Sequence, residues 1–88
     1  ISLTKILPAI LPLVKSGGQF LLLVKPQFEL GPGRTKKGVV RSVEMQQEAV
    51  ALVSSSAQRL GLEVKGECPA PIKGPKGNQE YFLHLLKV

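Results

Sequence analysis

Cysteine and histidine each occur once in the 88 residues, as Cys68 and His84. A lone thiol makes no internal disulfide, which excludes the small secreted scaffolds that depend on several. One Cys and one His also fall short of the ligand set of a structural zinc site. Tryptophan is absent, and Tyr81 and Phe28 are too few for the base-stacking platform of an RNA-recognition sheet. No apolar run approaches the ~20 residues that span a bilayer; "ILPAILPLV" is short and interrupted by proline. The architecture of a signal peptide is missing as well, so a cytoplasmic chain is the expectation.

Acids are scarce too. Six Asp and Glu stand against 12 Lys and Arg, for a net charge of +6. Such a balance suits a polyanionic partner, although solubility alone also accounts for it. The length allows one small domain, close to the size at which a single core is only marginally self-sufficient. The 43% hydrophobic content is that of a globular chain. The opening "ISLTKILPAILPLVKSGG" has no Met and starts inside an apolar pattern. The expectation is a trimmed N-terminus or a piece of a longer protein.

Leu3, Ile6, Leu7, Ile10, Leu11 and Val14 recur at helical spacing behind Ser2, a candidate N-cap. Pro8 and Pro12 predict a short helix, distorted near the prolines and ended by "SGG". "QFLLLV" (Gln19 to Val24) is continuously apolar, which predicts a strand buried on both faces. Pro26 then forces Lys25 into an extended conformation and closes the strand. A loop, "ELGPGRTKKGVVR", carries Arg34, Lys36, Lys37 and Arg41 among three glycines. Ser42 caps a second helix whose stripe is Val43, Val50, Val53, Ala57 and Leu60, joined by Ala49 and Leu52. "LEVKGECPAPI" alternates at Leu62, Val64, Gly66, Cys68 and Ala70, as a strand with one better-buried face does. After the turn "KGPKGN", "EYFLHLLKV" is apolar on both parities and reads as an inner strand. The helix-linked strands should run parallel and the last pair antiparallel.

Several residues are candidates for chemistry. Lys25 lies just beyond the carboxyl end of a strand, where open α/β sheets bind ligands, although a lysine snorkelling at a strand end would look the same. Gly33 to Gly38 has the gap of a phosphate loop but continues into Val39 instead of Lys-Ser/Thr. What remains is a cationic loop able to meet RNA phosphates without sequence preference, or a solvated one. Glu29 and Glu80 are the acids nearest the strand ends; each could hold a neighbouring lysine or simply mark a solvated boundary. His84 reads as a core histidine with a backbone partner. "SSS" at Ser54 to Ser56 lies beside no base that could make a triad.

"LLLVKPQFELGPGRTKKGVV" together with "APIKGPKGNQEYFLHL" resembles the TlyA family, rRNA ribose 2′-O-methyltransferases also known as hemolysins, whose catalytic domain is FtsJ-like. The similarity covers essentially the whole chain; Ala70 stands where the family more usually has serine. It implies an α/β, partial Rossmann-like fold: the C-terminal half of the methyltransferase domain over residues 1–88, with two helices and a three-stranded mixed sheet whose last strand is central and antiparallel. It also implies a Lys-Asp-Lys-Glu tetrad, with Lys25 matching the second lysine and Glu80 the glutamate. The first lysine, the aspartate and the glycine-rich S-adenosyl-L-methionine loop have no match in this chain. The implied partner is ribosomal RNA or a ribosomal subunit, contacted through Arg34, Lys36, Lys37 and Arg41, with no membrane involved. The chain by itself is then expected to be inactive and to self-associate through an open strand edge. A membrane-active hemolysin and a noncatalytic RNA-binding module are the alternatives.

Overall fold

The computed structural model describes residues 2–31, 33, 35 and 38–88. The first helix, α1, spans Leu3–Ile10 and continues as a single 3-10 turn at Leu11–Leu13. Ser2 caps it by accepting a hydrogen bond from the Thr4 amide at 3.1 Å. Pro8 lies within the helix and Pro12 within the tighter turn, so the expected distortion takes the form of a switch in hydrogen-bond spacing. The open carbonyls at this end are met from across the fold. Lys87 Nζ donates to Leu11 O at 2.9 Å and Val14 O at 2.5 Å, placing a cation where a helix terminus favours one. Gly17, at φ +85°, lets the chain turn back so that its amide reaches Lys87 O.

Strand β1 (Gln19–Val24) leads through Lys25 into a one-turn helix, α2 (Pro26–Glu29). The proline that ends the strand also begins this helix, since its ring fixes φ at a helical value and its missing N–H is needed by nothing there. Helix α3 (Val43–Arg59) follows, capped by Ser42, whose Oγ accepts from the Met45 amide. The Ser42 hydroxyl also donates to Glu44 and, with the Glu44 backbone amide, holds that carboxyl below the usual value. Strand β2 spans Leu62–Pro69 and β3 spans Tyr81–Lys87.

The sheet order is β1-β3-β2. The last strand is therefore central and antiparallel to both neighbours, as expected. β1 and β2 share a direction, the sense in which the expected sheet was mixed, but β3 separates them and both ladders are antiparallel. The core lies between the sheet and the helices. Phe20, Val24, Leu62, Tyr81, Leu83 and Leu85 meet Leu7, Ala49, Val50, Val53 and Ala57.

Four expectations give way to the packing. β1 is buried on one face only: Phe20 and Val24 point inward, while Leu21 is 69% exposed. A continuous apolar run does not reveal which of its faces a helix covers. In α3 the inward stripe includes Gln46 and Ser56, whereas Val43 and Leu52 are exposed. Gln46 is buried because it bonds Val40 O at 3.2 Å and receives the Tyr81 hydroxyl at 2.8 Å. In β2 the alternation breaks at a bulge between Val64 and Gly66. One extra residue flips every later side chain, so Cys68 pairs with Phe82 on the open face instead of joining Leu62 and Val64. His84 lies on that open face too, and its partner is a side chain, Gln19 Oε1 at 2.6 Å, not the backbone.

Candidate active site at the head of the central strand

The ladder between β1 and β3 ends with Val24 opposite Tyr81. The next residue on each side is Lys25 and Glu80. Register thus sets two residues separated by 55 positions (80 − 25) in the chain at the same end of the sheet.

Lys25 is extended (φ −111°, ψ 98°) and forms the N-cap of α2 without a side-chain capping bond. Its ammonium lies 5.7 Å from the centroid of the Phe28 ring, one helical turn on. Phe28 is itself 56% exposed. Glu80 is only 5% exposed. Its backbone oxygen takes the Ala70 amide at 2.8 Å, extending the β2–β3 ladder by one step. Its carboxylate accepts from Gln27 Nε2 at 2.9 Å. A Cβ on Gly74 would come within 2.9 Å of Glu80 Oε1 and closer still to the other carboxylate atoms. Gly74 has an ordinary φ of −78°; it is the space taken by Glu80 that requires glycine there.

No ion pair within 4.0 Å joins Lys25 to Glu80 among the described residues. Nor does Glu29 hold a lysine or dissolve into solvent. Its two oxygens receive the Ser2 hydroxyl at 2.6 Å and the Leu3 amide at 3.0 Å, tying the start of α1 to α2. A small hollow lined by Leu3, Leu23, Lys25, Phe28 and Glu29 opens on this side of the lysine.

On the other side of Phe28 lies a larger cleft of about 440 Å³, with Gln27, Gly38, Lys76 and Asn78 among its walls. Asn78, 2% exposed, fastens two of those walls together. Its Oδ1 accepts the Val40 amide at 2.9 Å, and its Nδ2 donates to Gly38 O at 2.9 Å and Pro75 O at 3.0 Å. Neither Asn78 nor Gln27 was singled out from the sequence. Their signal is only that each sits within two residues of a candidate ("KPQ", "NQE"), and their partners are distant in the chain. Of the four expected RNA contacts, Arg41 is exposed at the foot of the basic loop; Arg34, Lys36 and Lys37 lie outside the described residues.

The FtsJ-like methyltransferase family matches residues 1–87. The chain is 41% identical over 86 residues to a Mycobacterium tuberculosis 16S/23S rRNA (cytidine-2′-O)-methyltransferase, covering 97% of this chain and 32% of the relative. It is 33% identical over 87 residues to Hemolysin A of Brachyspira hyodysenteriae, covering 98% of this chain and 36% of that one. A solved structure of a candidate hemolysin from Lactococcus lactis superposes with a TM-score of 0.96 at 40% identity, over 100% of this chain and 42% of the other. The chain spans about a third of the length of the curated relatives it matches.

Proposed function

The chain belongs to the FtsJ-like methyltransferase family, and we propose that it is the C-terminal half of the catalytic domain of an S-adenosyl-L-methionine-dependent rRNA ribose 2′-O-methyltransferase. The observation that supports this reading is that Lys25 and the buried Glu80 each follow the last β1–β3 pair, Val24 with Tyr81, by one residue. A ribose hydroxyl is a weak nucleophile at neutral pH and reacts as its proton is withdrawn. Lys25 is the proton acceptor, and it acts in its uncharged form. Glu80, immobilised by Gln27 and by the closeness of Gly74, orients the polar groups of the site. The exposed Phe28 ring covers one side of the lysine and limits its contact with water.

The family implies the methyl donor, yet the described residues do not form its cradle. The cleft offers no acidic side chain for the hydroxyls of an adenosyl group, and no glycine turn leads from β1 into a long helix. Cofactor binding is therefore assigned to the rest of the parent protein. RNA is the substrate class, and the basic loop from Arg34 to Arg41 supplies nonspecific phosphate contacts; a ribosomal subunit in the cytoplasm is the setting. The hemolysin reading receives less support: no helix among the described residues is long and apolar enough to cross a membrane. The full-length protein, given ribosomal RNA and labelled cofactor, should place label in 2′-O-methylnucleosides and leave dye-loaded liposomes intact. Liposome leakage without RNA methylation would overturn the proposal.

The isolated chain is expected to lack methyl transfer and to self-associate. Its sheet leaves Leu21 and Leu23 uncovered, at 69% and 36% exposure, and among the described residues the outer edge of β1 carries no partner strand. Sedimentation at micromolar concentration should show dimers or larger species, and Leu21→Lys should shift them toward monomer. A monomer at that concentration with Leu21 intact would contradict the expectation.

A further inference from the structure

Gln27 holds the one buried side-chain polar atom among the described residues that has no hydrogen-bond partner, its Oε1. The orientation of the amide is not free. Nε2 faces the Glu80 carboxylate at 2.9 Å, and a flip would set oxygen against carboxylate oxygen in a buried place. Oε1 is thus locked as an acceptor and stripped of water, an arrangement that costs about 1–3 kcal/mol unless a donor arrives.

We propose that this donor is the Lys25 amine, and that Gln27 is a positioning residue linking Glu80 to the base. The inference rests on the reading of Lys25 as proton acceptor. Lys25 lies two residues before Gln27, as the cap of the same short helix. Among the described residues it makes no ion pair with Glu80, and its ammonium rests over the Phe28 ring; in the proposed contact a different rotamer swings it from that ring to Gln27. An uncharged amine has two N–H bonds and one lone pair. Donating one hydrogen to a fixed oxygen aims the lone pair, which is what a base for a ribose hydroxyl requires.

A neutral amide as intermediary also resolves an electrostatic conflict. A carboxylate paired directly with Lys25 would favour the charged, inert form of the amine. Gln27 lets Glu80 supply rigidity without that direct pairing. The charged groups that face Lys25 and Gln27 leave this role open. Glu29, in the same hollow as Lys25, is engaged by Ser2 and the Leu3 amide, and Lys76, which lines the cleft with Gln27, is a cation.

The test uses the full-length enzyme with Gln27→Met, which keeps length and volume while removing both polar atoms. At neutral pH kcat should fall about 100-fold, within the range attributed to general-base catalysis, while KM for RNA stays within about twofold. Glu80, released from the amide, should swing onto Lys25, so the rising limb of the pH–rate profile should move to higher pH and activity should recover in alkali. A wild-type profile, or an equal loss at every pH, would overturn the proposal. A crystal structure of the variant gives a readout independent of turnover: Lys25 Nζ within 4 Å of the Glu80 carboxylate supports the proposal, and unchanged separation overturns it. If wild-type enzyme fails to methylate RNA, the functional reading falls, while the crystal structure still judges the role of Gln27.

Discussion

Lys25→Ala in the full-length enzyme should abolish ribose methylation while binding of S-adenosyl-L-methionine persists. Among the described residues at the head of the β1–β3 ladder, Glu80 is buried and engaged by Gln27, and Glu29 is engaged by the start of α1, which leaves the Lys25 amine as the proposed acceptor of the hydroxyl proton. General-base contributions are commonly 10²- to 10⁴-fold, so turnover should drop by at least about 100-fold. The fold should tolerate the change. Lys25 makes no side-chain capping bond, and the aromatic contact that it loses is worth only about 0.5–1 kcal/mol at such a site. Single-turnover methylation together with cofactor titration checks both halves. Turnover within a few-fold of wild type would remove Lys25 from the mechanism.

Asn78→Ala should loosen the cleft without touching a proposed catalytic group. The substitution strands the buried Val40 amide and takes the side-chain donor from the part-buried Gly38 carbonyl, while Pro75 O keeps the Asn78 backbone amide at 3.2 Å. An unmade buried hydrogen bond costs about 1–3 kcal/mol, and the loss across the two groups should reach about 3 kcal/mol. Hydrogen exchange at the Val40 amide is the direct measure. Its protection should fall by about two decades, since about 1.4 kcal/mol corresponds to a factor of ten. Asn78→Asp is the sharper control. It keeps shape and an acceptor for Val40 but turns a carboxylate oxygen toward two carbonyl oxygens, so it should be no better than alanine. Retained protection in Asn78→Asp would mean that shape and the acceptor for Val40, and not the Nδ2 donor, hold the cleft closed.

Much of this architecture was legible in the residues. Ser2 and Ser42 cap helices because a hydroxyl in that position satisfies an amide that the helix leaves open. Pro26 ends β1 because it has no N–H for the ladder and its ring holds φ at a value that starts α2. The strand read from Glu80 to Val88 is central, as expected from its apolar residues on both parities. The candidate pair Lys25 and Glu80 was legible too, through motif resemblance.

Tertiary structure decided the rest, and in each case the reason is that burial or hydrogen bonding is completed by a distant partner. Which face of β1 is covered depends on where α3 lies, not on the run "QFLLLV" itself. The bulge in β2 is set by pairing with β3; one inserted residue sends Cys68 to the open side. Gln46 enters the core because Tyr81 and Val40 O satisfy its amide from other elements. Gln27 meets Glu80 across 53 residues, and Asn78 meets Val40 across 38. Sequence by itself determined where the chain bends and which residue types are available for chemistry. Only the folded sheet brought Lys25, Gln27 and Glu80 to one end, because antiparallel register, unlike periodicity, is a relation between segments far apart in the chain.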